Sequence, residues 1–182
     1  MRRAVAVVAV AALVALAGAG PSGGDDAGLK APPFPSNKPK NWVGTPVTWE
    51  ELQGQVVMLD VWTFGCVNCV RTLPWIKQVS AKYAERGFRV VGVHTPEFEH
   101  ERGAAAVAKA VKEHGLDYPQ YIDNNQQYWA MLKTNAWPTT YLVDRCGRIR
   151  MTHVGEVHAE DESGRAMERA IQTLLAEKPC PS

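Results

Sequence analysis

Residues 56–75 read VVMLDVWTFGCVNCVRTLPW. The first seven, Val56 to Trp62, are apolar apart from Asp60. Their length and branched side chains fit a strand buried on both faces. The period then changes. Val70, Leu73, Ile76, Val79 and Tyr83 recur at spacings of three or four and mark one face of a helix from about Val67 to Glu85. Pro74 should kink that helix, and Gly87 should end it. Arg89–Val93, RVVGV, is a second buried strand. The unit is therefore strand, helix, strand, with parallel strands and a right-handed crossover. Cys66 and Cys69 stand at the joint between the first strand and the helix.

Downstream, Ala104–His114 is helical with Gly115 as its stop, and Tyr118–Ile122 is a short strand. Asn125–Lys133 is another short helix. Thr139–Val143 and Ile149–Val154 are strands joined by the turn Asp144-Arg145-Cys146-Gly147. Met167, Ala170, Ile171, Leu174 and Leu175 line one face of a last helix. The order is β-α-β, an inserted α/β segment, then β-β-α. It predicts an α/β fold with a central mixed sheet flanked by helices.

Upstream, Thr48-Trp49-Glu50-Glu51 resembles a capping box, with Gly54 as its stop. Residues 20–41 are rich in Gly, Pro, Ser and Lys without apolar periodicity. They read as a flexible linker, so the packed domain is expected over 42–182. Arg2 and Arg3 precede an apolar run, Ala4 to Ala17, and the small residues Ala17-Gly18-Ala19. Residues 1–19 thus read as a signal peptide. The expectation is an exported, periplasmic or otherwise extracytoplasmic protein, tethered to the membrane if the leader stays uncleaved.

Composition excludes several classes. In 182 residues, 20 Lys+Arg face 19 Asp+Glu, with no long block of like charge. Electrostatic binding to nucleic acid needs a concentrated basic surface and is not expected. Losing residues 1–19 removes Arg2 and Arg3 and turns the formal charge from +1 to −1. An apolar fraction of 46% excludes a wholly disordered chain. Four cysteines are too few for a disulfide-dense miniature scaffold.

Cys66-Val67-Asn68-Cys69 carries the chemistry. A helix N-terminus has unpaired amide donors and partial positive charge, which stabilise a thiolate. Cys66 reads as the exposed nucleophile. Cys69, within the first turn, can return to it and close a disulfide. A zinc site would need further ligands, and haem attachment would need His where Val70 stands. Asp60, alone in the apolar run, should have a raised pKa and could take the proton of a buried Cys69 thiol. The alternative is an aspartate at a frayed strand end. Pro138, within Ala136-Trp137-Pro138-Thr139-Thr140, precedes a strand. If cis, it would set backbone polar groups beside the cysteines. His94-Thr95-Pro96-Glu97-Phe98-Glu99 follows the second strand and should border Cys66. Glu97 there could touch substrate, or be a solvated loop carboxylate.

These residues resemble the thioredoxin superfamily. LDVWTFGCVNC, Pro74 five residues after Cys69, and WPTTYLVD ahead of the last hairpin and helix carry the likeness. The insertion and leader make the chain look like the TlpA/ResA type. CVNCVRTLPW with VVGVHTPEFEHE is closer to the thioredoxin-like domain of DipZ-type proteins. The resemblance implies a thiol–disulfide oxidoreductase with Cys66 as nucleophile, Cys69 as resolving thiol and Pro138 cis. It implies protein disulfides or thiols as substrates and a membrane electron donor of CcdA type. No dissociable cofactor beyond the Cys66–Cys69 disulfide, no metal and a monomer are expected. The chain also departs from the pattern. Val-Asn separates the cysteines, Gly65 stands where thioredoxin has Trp, and Thr72 stands where ResA-type proteins carry a glutamate. Gly65 and the bulky Trp137 are candidate substrate contacts.

With Cys66 and Cys69 paired, Cys146 and Cys180 remain. The last hairpin and helix should bring them together as a structural disulfide. Free or partner-linked thiols are the alternative. Trp42, Trp49, Trp75, Trp129 and His153 read as packing or surface residues. Three other functions fit a thioredoxin-like chain: a disulfide-forming oxidant, a thiol peroxidase, and a non-enzymatic metal carrier using Cys66 and Cys69.

Overall fold

The computed structural model describes residues 28–180; the expected leader and residues 20–27 of the expected linker lie outside them. The strands are β1 Trp42–Val43, β2 Val56–Trp62, β3 Phe88–His94, β4 Gln120–Ile122, β5 Thr139–Val143 and β6 Ile149–Val154. The helices are α1 Val67–Tyr83, α2 Ala104–His114, α3 Gln127–Leu132 and α4 Glu162–Ala176. One six-stranded mixed sheet has the order β1-β4-β3-β2-β5-β6. β2 pairs parallel with β3 and antiparallel with β5, and β4 runs parallel to β3. The α/β insertion, α2 to α3, thus adds β4 to one side of the sheet. Among the described residues, no helix is long and apolar enough to cross a membrane.

Every residue of β2 is buried, as its apolar run demands. Successive side chains alternate between faces. Val56, Met58 and Trp62 join the layer formed by α1, α2 and α4, together with Cys69, Val107 and Ile171. Val57, Leu59 and Val61 enter the opposite layer with Val91, Val93, Tyr128 and Leu132. α1 continues through Pro74, then tightens into a turn over Ala84–Arg86 that Gly87 closes at φ +84°. That positive φ is the conformation glycine adopts without a steric cost.

The opposite layer corrects the linker expectation. α3 supplies only six residues, too short to cover Val57, Leu59 and Val61, and residues 28–52 complete the cover. Phe34 lies 4.9 Å from the Tyr128 ring and 5.1 Å from that of Trp42, and it stacks on Trp49 at 5.6 Å. The Pro32 carbonyl accepts from Trp49 Nε1 at 2.8 Å and from the Tyr128 hydroxyl at 2.9 Å. Lys30 bridges to Arg148, and Ala31 N–H donates to the Gly147 carbonyl at 2.9 Å. Residues 28–41 are therefore part of the packed domain. Prolines and the single aromatic Phe34 hold this segment, so it shows no helical or strand period to read. Strand and helix limits also shift slightly. β4 is shorter than the expected 118–122, and α3 is shorter than the expected 125–133. The Thr48–Glu51 capping box forms, with Thr48 N–H on Glu51 Oε2 at 2.8 Å and Glu51 N–H on Thr48 Oγ1 at 3.3 Å.

Candidate active site

Three loops meet at one edge of the sheet. β2 and β3 are parallel, so residues 63–66 and 95–101 leave them at the same end. β5 is antiparallel to β2, with Thr139 opposite Val61, so Ala136–Pro138 enters there too. Trp137 ties two of the loops: its Nε1 donates to the Thr95 carbonyl at 3.0 Å, and its ring packs 4.1 Å from Trp129. Thr95 N–H donates to the Trp62 carbonyl at 2.9 Å. Pro138 is buried, its peptide bond with Trp137 is cis, and its carbonyl accepts from Gly155 N–H at 2.9 Å.

Cys66 is the N-cap of α1, with extended backbone, and its Sγ accepts from Cys69 N–H at 3.2 Å. Cys66 is half-buried, whereas Cys69 is 1% exposed. The two form a disulfide with Cα atoms 5.3 Å apart. The arrangement leaves one sulfur open to attack and keeps the other behind it. As a thiolate, Cys66 would sit at the positive end of α1 and receive an amide hydrogen bond there. Thr72 fastens the helix to the chain beyond β6. Its hydroxyl donates to the Asn68 carbonyl at 2.9 Å and accepts from Val157 N–H at 3.1 Å.

Asp60 is 1% exposed on the α1 face of the sheet, and its Oδ2 has no hydrogen-bond partner among the described residues. Burial pushes its carboxyl up to about 7. Gly92 and Thr140 flank it on β3 and β5, and Gln120 and His153 continue the row across β4 and β6. Gly92 is required here, because a Cβ at that position would collide with the Gln120 amide. Gln120 Oε1 accepts from Trp62 Nε1 at 2.8 Å.

The expected site residues thus fall into two groups. Cys66, Cys69, Asp60, Gly65, Trp137 and Pro138 belong to this edge or the face beneath it. Glu97 is exposed on the loop after β3 and offers its backbone N–H to Glu101 Oε2 at 2.6 Å. Sequence reasoning missed Glu101 and His94 as buried polar groups. Both are 0% exposed, and a side chain at Gly65 would strike the Glu101 carboxylate. His94 Nε2 lies 3.2 Å from Thr63 Oγ1, and its ring stacks at 5.2 Å on Phe64. Burial lowers His94 to about 4, so its ring is neutral near pH 7. Cys146 and Cys180 pair far from this edge, with Cα atoms 5.4 Å apart.

The comparisons agree with this architecture. A family described as Redoxin matches residues 27–169. Protein DipZ of Mycobacterium tuberculosis is 36% identical over 119 residues, which is 63% of this chain and 17% of that protein. The chain therefore spans less than a fifth of DipZ. The thiol-disulfide oxidoreductase ResA of Bacillus anthracis is 26% identical over 121 residues, 66% of this chain and 67% of ResA. Among solved structures, a thiol-disulfide isomerase from Corynebacterium glutamicum aligns with a TM-score of 0.69 at 25% identity. That alignment covers 81% of this chain and 98% of the isomerase. With the fold, the CxxC pair at the start of α1 and the extent of the family match in agreement, the chain belongs to the Redoxin family and carries the CxxC of a thiol–disulfide redox enzyme.

Proposed function

We propose that this chain is an exported thiol–disulfide oxidoreductase that reduces disulfides of extracytoplasmic proteins. The observation that carries the reading is the asymmetry of the pair: Cys66 half-buried at the α1 N-cap, Cys69 buried behind it. The Cys66 thiolate attacks one sulfur of a substrate disulfide. A mixed disulfide forms, and the other substrate sulfur leaves as a thiolate that takes a proton. Cys69 gives its proton to Asp60 and attacks Cys66 Sγ, releasing the second substrate thiolate. Two electrons have passed to the substrate, and Cys66–Cys69 is oxidised. Trp137 and Pro138 border the incoming substrate chain, with Gly65 and Glu97 as further contacts. A membrane donor of CcdA type returns the electrons, and no other cofactor takes part.

Equilibration of Cys66–Cys69 against a glutathione series tests the direction. A midpoint near roughly −270 mV, with reduction of insulin disulfides, is the expected result. A midpoint near roughly −120 mV would make the protein an oxidant, and stoichiometric metal binding without insulin reduction would make it a carrier.

Cys146 and Cys180 serve as a structural bridge in this reading. Cys146 sits in the β5–β6 turn, where Asp144 Oδ1 accepts from its N–H at 2.9 Å, and Cys180 follows α4. The bridge spans a sequence separation of 34. Closing a loop of that size removes entropy from the unfolded chain worth about 3–4 kcal/mol. The Cys146→Ala/Cys180→Ala variant should unfold at correspondingly lower denaturant while keeping insulin reduction. Unchanged stability would mean that these cysteines do not staple the domain.

A further inference from the structure

The contact between Gly65 and Glu101 has a chemical meaning. Gly65 immediately precedes Cys66, and a Cβ built there would occupy the place of Glu101 Oε1. The carboxylate therefore fills the volume that a side chain at position 65 would take. Its two oxygens are held differently. Oε2 accepts from the backbone N–H groups of Glu97 at 2.6 Å and Phe98 at 3.1 Å. Oε1, the oxygen at Gly65, is buried without a hydrogen-bond partner among the described residues. One oxygen anchors the loop after β3, and the other is pressed against the backbone that carries the nucleophile.

We infer that Glu101 is a positioning residue that packs against Gly65 of the Cys66 loop and places negative charge behind Cys66, raising the cost of its thiolate. This inference uses only Cys66 as a titrating thiol, and it deepens the proposed reductase reading by supplying a cause for the direction. A negative charge beside a thiol favours the protonated form. Disfavouring the thiolate weakens the reduced state relative to the disulfide, which makes the dithiol a better electron donor. The α1 N-terminus pulls the opposite way, so the nucleophile sits between two opposing fields.

The other charged groups around this edge do not cancel Glu101. His94, on β3, is buried and neutral near pH 7, and the Glu101 carboxylate acts to raise it against the larger lowering by burial. On the same turn, Arg102 is engaged elsewhere, with Glu99 at 2.9 Å and the Asn124 carbonyl at 2.6 Å. Glu97, Glu99 and His100 are exposed to water, which screens them. On α1, Arg71 is exposed and lies 3.9 Å from Glu156 of the chain after β6. Asp60, on β2, is buried on the α1 face and its own titration is separable by mutation.

Two measurements test this. The first is the pH dependence of Cys66 alkylation by iodoacetamide in the reduced protein, with Asp60→Asn as common background. Glu101→Gln, nearly the same size, should move the midpoint down by about one pH unit. It should also shift the glutathione equilibrium several-fold towards the dithiol. Glu101→Asp keeps the charge and should stay near the parent. An unchanged midpoint in folded Glu101→Gln overturns the inference. The second needs no substitution at Glu101. In the reduced protein, the 13C resonance of the Glu101 carboxyl should shift as Cys66 loses its proton, and that step should vanish in Cys66→Ser. A carboxyl resonance indifferent to Cys66 also overturns it, even if Glu101→Gln does not fold. Neither readout involves a protein substrate. If insulin reduction fails while both shifts appear, the reductase reading falls and the role of Glu101 stands.

Discussion

Cys66→Ser should abolish insulin reduction, and Cys69→Ser should leave a protein that reacts once and accumulates mixed disulfides. The expected losses differ in kind because the two sulfurs occupy different positions. Cys66 caps α1 at a half-buried position open to a substrate, while Cys69 is 1% exposed within the first turn. With serine at 66, the remaining thiol lies behind the loop and meets no substrate sulfur, so turnover should fall by at least about a thousandfold, as when an enzyme nucleophile is removed. With serine at 69, the first exchange still occurs, but nothing resolves it. Non-reducing electrophoresis and intact mass of Cys69→Ser after mixing with a disulfide substrate should show adducts that dithiothreitol releases. If Cys66→Ser traps partners and Cys69→Ser does not, the roles are reversed.

Much of this site could be read from sequence because it is local. An apolar run interrupted by one acid, two cysteines at a helix start and the amphipathic face of that helix are all local signals, within about thirty residues. The crossover rule gives parallel β2 and β3, and the structure adds β5 antiparallel to β2, which brings Pro138 to the same edge. Two features could not be read this way. Residues 28–41 pack through Pro32 and the single aromatic Phe34, whose partner Tyr128 lies far along the chain. In HTPEFEHE, three glutamates alternate within a short loop, and nothing in their spacing says which turns inward. The structure turns Glu101 inward and leaves Glu97 and Glu99 exposed. The missing signal is three-dimensional: the cleft beside Gly65 has room for a carboxylate because residue 65 has no side chain.

The same reasoning explains how a sheet can tolerate Asp60. A buried carboxyl without a partner favours its neutral form, and here burial raises it from 3.8 to about 7. Below pH 3.8 the carboxyl is protonated in both folded and unfolded chains and costs nothing extra through ionisation. Between 3.8 and about 7 the unfolded chain releases this proton and the folded chain keeps it. Unfolding therefore releases a proton, and stability falls as pH rises through that window. Above about 7 both states are ionised and the full penalty remains, of the order of 4 kcal/mol.

Asp60→Asn removes the titration while nearly keeping the shape. Urea unfolding of the oxidised protein, in which neither active-site thiol titrates, should show the variant more stable than wild type at pH 8 by several kcal/mol. The difference should shrink towards pH 4. The gain has a functional counterpart. The variant should still form mixed disulfides through Cys66 but resolve them more slowly, because Cys69 has lost its proton acceptor. In pre-steady-state mixing with a disulfide substrate, the first phase should be preserved and the second slowed by about tenfold to a hundredfold. Parallel pH–stability curves for the two proteins would remove the buried ionisation from the account. An unslowed second phase would take Asp60 out of the proton transfer even if the stability difference appeared. The two readouts thus separate what the carboxyl costs the fold from what it does for the reaction.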